Sequence, residues 1–247
     1  MFTALSLLWF LLVLGVAAVA LATANALYAA VFGAGAGRRA ALWTAGGFGL
    51  VWVVWAAVTT ALAAAHVYRF QADAVKPWLA VGFAVPLVAL LALSRVPVVA
   101  RALAHPAARV QLIRPHQVRI MGVAFLLALA MGDLPPAFAW PAALGDITIG
   151  LSATRVIRRL RAGDGDRSAL WLNIFGIADF VYAFAVAILA APGPTRALHL
   201  TPSTEHVSLL PLVLVPTAAV PVLFTLHVLS LANSRAAQPV TAVPVAA

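Results

Sequence analysis

The chain is a succession of long apolar runs separated by short clusters of Arg, Pro and Gly. A helix that crosses a bilayer needs about 20 mostly apolar residues. Seven runs meet or approach that length: 5–31, 41–65, 78–94, 117–134, 136–154, 168–191 and 209–231. They predict an all-α fold, a polytopic transmembrane helix bundle of about seven spans. The longest polar interval, Arg95 to His116, is too short for a soluble domain. Residues 1–235 therefore read as a single integral membrane helical domain, and 236–247 as a short cytoplasmic tail without fixed structure.

Two places leave the span count open. The residues between Arg119 and Arg155 barely suffice for two crossings, and the break between them is only Asp133-Leu134-Pro135-Pro136. Two short helices fit, and so does a re-entrant hairpin, because both return the chain to the same face. At the N-terminus, Ala22-Thr23-Ala24 resembles a signal-peptidase site. No Lys or Arg precedes Arg38, however, and the apolar run exceeds the core of a signal, so the first run reads as a retained span. Gly33-Ala34-Gly35-Ala36-Gly37 follows it as a turn; it lacks the strand, Lys and hydroxyl residue of a phosphate loop.

Charge supplies the orientation. Cytoplasmic loops retain Lys and Arg. With the N-terminus outside and the C-terminus cytoplasmic, thirteen basic residues fall inside: Arg38, Arg39, Arg95, Arg101, Arg109, Arg114, Arg119, Arg155, Arg158, Arg159, Arg161, Arg167 and Arg235. Only Arg69, Lys76 and Arg196 fall outside.

Composition agrees with lipid as the solvent: 64% of residues are hydrophobic, 9% are charged, and mean hydropathy is +1.03. The net charge of +9 does not point to nucleic acid, since the arginines sit between apolar runs and no aromatic-interleaved basic motif accompanies them. The absence of Cys removes disulfides, thiolate metal sites and a cysteine nucleophile. Preference for Arg over Lys, with abundant Ala, Val and Gly, suggests a GC-rich bacterial source and hence the bacterial inner membrane. The strip from Arg95 to His116 interleaves Val98, Val99, Leu103, Leu112 and Ile113 with Arg101, Arg109 and Arg114. It suits the headgroup boundary of the inner leaflet and anionic lipids there, as do Arg155, Arg158, Arg159 and Arg161 in the next basic loop. A loop that is basic for topology alone fits the strip equally well.

Candidate chemistry lies in ionisable groups inside the apolar runs, where a carboxylate costs about 2.5–3.5 kcal/mol on insertion scales. Asp146 lies ten residues after Pro136, and Asp179 eleven after Ser168 on the returning span. At 1.5 Å per residue both lie about 15 Å deep, near the midplane. The two spans are consecutive and antiparallel, so the carboxylates can face one another. Two acids sharing a low-dielectric site need a proton or a cation between them. Gly145, Gly150 and Gly176 allow close approach of the two helices. No intramembrane Lys or Arg is expected to pair with them. A purely structural reading is that each Asp hydrogen-bonds across the bundle, with Asn173, Thr148 or Tyr182 as partner. His227 lies in the last span after Pro216 and Pro221, whose missing donors free carbonyls. Asn173, Asp133 and His227 complete the candidate proton, cation or substrate site.

Neither a catalytic set nor a metal set is expected. His66, His199 and His206 lie near Asp73, Asp133 and Glu205 at the outer face, but no spacing forces them to converge. No nucleophile or oxyanion donor set accompanies the aspartates, which leaves an intramembrane acid–base hydrolase as the weakest reading. No cofactor is expected either. The leading expectation is a small proton- or cation-linked transporter or carrier, in which a homodimer can supply a second half. The alternative is a non-catalytic accessory membrane protein that binds lipid or a partner through its basic loops.

Overall fold

The computed structural model describes residues 3–236, and every regular element among them is helical. The elements are α1 (Ala4–Gly33), α2 (Gly37–Ala64), α3 (Trp78–Leu93), α4 (Pro97–Ala104) and α5 (Ala108–Ile113). A 3₁₀ segment (Arg114–Gly122) leads into α6 (Val123–Ala130), followed by α7 (Pro136–Arg161) and α8 (Asp166–Leu189). After a long connection, a π-helical turn (Val215–Ala219) opens α9 (Val220–Ala236). Of the tail expected at 236–247, Ala236 closes α9, and 237–247 lie outside the described residues.

Five stretches are long and apolar enough to cross a membrane: Ala4–Gly33, Gly37–Ala64, Ala108–Ala130, Asp166–Leu189 and Val215–Ser234. A sixth results if α3 and α4, bent by 80° at the Ser94–Val96 break, count as one crossing. α7 has 26 residues, about 39 Å of helix. It does not join that set, because Asp146, its prolines and the arginines of its last turns dilute its apolar stretch. The helical run expected from Gln117 starts at Ala108, so Arg109 and Arg114 belong to the run and not to a loop before it, and Arg119 lies well inside it. The Asp133 break resolves into two separate helices. Gly132 takes a left-handed φ of 81°, the Asp133 N–H donates to the Ala128 carbonyl at 2.9 Å, and Pro136 opens α7 at its first turn, where no N–H is required.

Large apolar side chains such as Leu21, Trp43, Leu50, Val88 and Phe175 face outward, as they do in a membrane protein. The interior is built around α1, α8 and α9. Leu8 and Leu12 of α1 pack with Phe125, Phe138 and Leu212. Val16 and Val19 pack with Phe180, Leu223 and Leu226. Ile113, Ile149, Ala153 and Leu172 form a third cluster between α5, α7 and α8.

α2 packs along α1 but is otherwise little covered, with only Ala41, Thr59 and Ala63 buried along its length. Its middle is latched to the π turn. Pro221 has no N–H to offer the Thr217 carbonyl one turn back, and the Trp55 indole donates to that carbonyl at 2.7 Å. Trp52 donates to the neighbouring Ala218 carbonyl at 3.4 Å. Trp55→Phe is expected to cost about 1–3 kcal/mol, the penalty for a buried carbonyl left without a donor. Trp52→Phe should cost less, because its bond is long. Thermal unfolding in nanodiscs compares the two.

Candidate functional site

The expectation that no Lys or Arg pairs with the two aspartates is wrong. Arg119, assigned from the sequence to the cytoplasmic rim, is buried with 1% of its side chain exposed and lies between the two aspartates. Its Nε donates to Asp146 Oδ1 at 2.6 Å, and its Nη2 to Asp179 Oδ2 at 2.5 Å. Nη1 lies 3.0 Å from His227 Nε2, and the guanidinium carbon sits 4.1 Å above the Phe180 ring. One cation thus contacts two carboxylates, an imidazole and an aromatic face. Because a guanidinium can only donate, His227 Nε2 accepts, and the other ring nitrogen carries the proton. That Nδ1–H donates to Asn173 Oδ1 at 2.8 Å. Asn173 passes the chain on, donating to Ser230 Oγ and to the Ala169 carbonyl, both at 2.8 Å.

His116 extends the cluster. Its ring stacks on His227 with centroids 3.8 Å apart and planes 18° from parallel. It is fully buried, and neither ring nitrogen has a hydrogen-bond partner.

Local backbone irregularity sets these positions. His116 and Arg119 lie on the nine-residue 3₁₀ segment, far longer than the three or four residues usual for that geometry. Its tighter winding redirects side chains relative to the α-helices on either side. His227 follows the π turn. Asp146 lies five residues beyond Pro141, which sits inside α7.

Glycines leave the space that the polar side chains fill. A Cβ on Gly145 would fall on the Asp179 carboxylate, and one on Gly176 on the His227 ring. A Cβ on Gly122 would meet Asp146, and one on Gly150 would lie 2.7 Å from the Ile120 backbone nitrogen. The sequence reading of Gly145, Gly150 and Gly176 as close-approach positions is refined by these contacts. Gly150 lets backbone meet backbone, whereas Gly145 and Gly176 make room for polar groups.

The other candidates divide. Asn173 and His227 join the cluster. Asp133 does not: its close neighbour is His206 Nε2 at 3.6 Å, in the connection after α8. Tyr182 donates to the Ala137 carbonyl and not to an aspartate. Of the basic residues, Arg109 pairs with Asp166, Arg114 donates to Gln111 at 3.3 Å, and Arg159 donates to Ser168 at 2.8 Å. Arg101, Arg155, Arg158 and Arg161 are exposed. Among the described residues no group of three or more His, Asp or Glu side chains is arranged to hold a metal ion.

Two small cavities of about 50 Å³ each touch Asp146. One is shared with Asp179, Phe138 and Val207, the other with Arg119, Gly122 and Gly15. Phe180 lines both. Each exceeds the roughly 10–15 Å³ that a single water requires.

A family model described as a domain of unknown function (DUF8737) matches residues 76–234. The chain belongs to the DUF8737 family. The family match runs from the residue before Pro77, ahead of α3, to the last turns of α9, so it contains every member of the charged cluster. α1 and α2 lie outside it. No curated protein and no solved structure matches the chain.

Proposed function

We propose that this DUF8737 protein is a small proton- or cation-linked carrier whose coupling centre is Arg119 with Asp146 and Asp179. The observation that carries the reading is one buried guanidinium divided between two carboxylates. With both acids ionised and both histidines neutral, the cluster is one positive charge short. In a low-dielectric interior that deficit favours uptake of one proton or one small cation. Uptake at either carboxylate weakens its hold on Arg119 and leaves the guanidinium to the other. The exchange needs only a side-chain shift, and the cavities beside Asp146 give each arrangement space. The interrupted helices resemble in kind the broken helices that carry ion sites in membrane transporters. His116, stacked on His227 with no hydrogen-bond partner at either ring nitrogen, leaves one unprotonated nitrogen unclaimed within the same assembly.

The same proposal includes the placement. α7 makes a seventh crossing, and the N-terminus faces outside. Removing Arg119 from the tally leaves twelve basic residues inside against three outside, so the asymmetry that supports this orientation survives. The bacterial inner membrane is the proposed location.

Flux tests the function. Purified protein in vesicles carrying an internal pH dye, under an imposed potential, is expected to move protons or a coupled cation. Asp146→Asn and Asp179→Asn should each reduce that flux at least tenfold. Undiminished flux in both variants, or none in the wild type across protons and the common monovalent cations, contradicts the reading.

A further inference from the structure

A second feature, independent of the charged cluster, is a cavity of about 490 Å³ between α1, α2, α4 and α9. That volume lies within the roughly 300–1,000 Å³ of sites that take small organic molecules. Leu27, Trp43, Gly47, Leu103, Leu112 and Leu226 contribute to its wall, and no ionisable side chain does. Trp43 and Val51 of α2, and Leu93 and Val96 at the end of α3, line it while remaining exposed, so it opens sideways between those elements. In a bilayer such a mouth meets acyl chains, not water.

Basic residues adjoin the lining residues along the chain. Arg39 stands one turn before Trp43, and Arg95 lies between Ser94 and Val96, both of which line the cavity. α4 turns Val98 and Leu103 into the cavity and leaves Arg101 exposed. Its 80° bend from α3 lays this short helix across the end of that span. Arg114 donates to Gln111, another lining residue. Among the described residues none of Arg39, Arg95, Arg101 and Arg114 pairs with a carboxylate, whereas Arg109, farther along the same strip, does.

We infer that the cavity is a binding site for an anionic two-chain phospholipid. One acyl chain enters between α2 and α9, and the phosphate rests on Arg95 and Arg101. Charge complementarity decides the headgroup. Guanidinium groups grip phosphate through paired N–H donors, and each basic residue near a surface adds to the attraction for anionic lipid. Trp43 marks the level of the headgroups, where indoles concentrate.

Native mass spectrometry of protein released from nanodiscs of equal phosphatidylglycerol and phosphatidylcholine tests the site. The wild type is expected to retain phosphatidylglycerol in preference to phosphatidylcholine. Arg95→Gln with Arg101→Gln should reduce that preference by about thirtyfold. Gly47→Trp should displace the lipid by filling the cavity, which Gly47 lines with nothing within 4 Å of a Cβ built there. Gly46→Trp, equally unobstructed but outside the cavity wall, is the control and should retain the lipid. Absence of a preference in the wild type, a preference undiminished by the arginine pair, or wild-type retention by Gly47→Trp each overturns the inference.

Discussion

Arg119→Met should destabilise the protein by about 3–5 kcal/mol, the usual cost of removing one partner from a buried charge pair. The methionine fills much of the volume of the aliphatic stem, so the loss is electrostatic and polar. Asp146 and Asp179 would face each other without the cation that contacts both at 2.5–2.6 Å. His227 Nε2 would lose its donor as well. Adding Asp146→Asn and Asp179→Asn to Arg119→Met removes the stranded charges and should recover most of the stability, because neutral replacements of buried ion pairs are often tolerated. Thermal unfolding in nanodiscs measures both steps. The triple variant also separates two roles. If the cluster only binds helices together, wild-type and triple-variant vesicles should behave alike in flux. If it couples transport, the triple variant should fold and fail to transport.

Gly145→Ala comes next in size. The added methyl would occupy the position of the Asp179 carboxylate, which cannot retreat without leaving Arg119. Overpacking of this kind costs about 1–3 kcal/mol. Lost contact with the guanidinium adds to it. Gly49→Ala in α2 is the matched control: nothing lies within 4 Å of the new methyl, and alanine favours helix over glycine by about 1 kcal/mol. The control should be neutral or stabilising in the same unfolding measurement, so opposite signs at two helical glycines are the expected result.

The parts of this structure legible in the sequence are those governed by local apolarity and backbone chemistry. Asp146 and Asp179 are conspicuous because each interrupts an otherwise apolar run, and the consecutive helices α7 and α8 bring them together. Pro216 and Pro221 announce freed carbonyls, although not that Trp52 and Trp55 of α2 would supply the donors. Arg119 was hidden for a definable reason. A rule that assigns each arginine to a cytoplasmic loop treats charge as topology, and the apolar run starts at Gln117, so Arg119 reads as its rim. The helical run instead begins at Ala108, and the 3₁₀ segment carries residue 119 into the interior. A signal was available. Arg119 has Val118 on one side and Ile120 and Met121 on the other, and two carboxylates inside apolar runs without a counter-charge call for one. His116 falls just outside the same apolar run. The separation of Asp133 from the cluster depends on the turn at Gly132 and on the placement of His206, neither of which periodicity reveals.

The most direct measurement is solid-state NMR on bilayer-embedded protein with ¹⁵N-labelled arginine and ¹³C-labelled aspartate. One guanidinium should show dipolar contacts to two carboxyl carbons, with one contact removed by Asp146→Asn and the other by Asp179→Asn. Contact with only one carboxylate, or an Arg119 guanidinium with neither, would contradict a cation shared between the two acids.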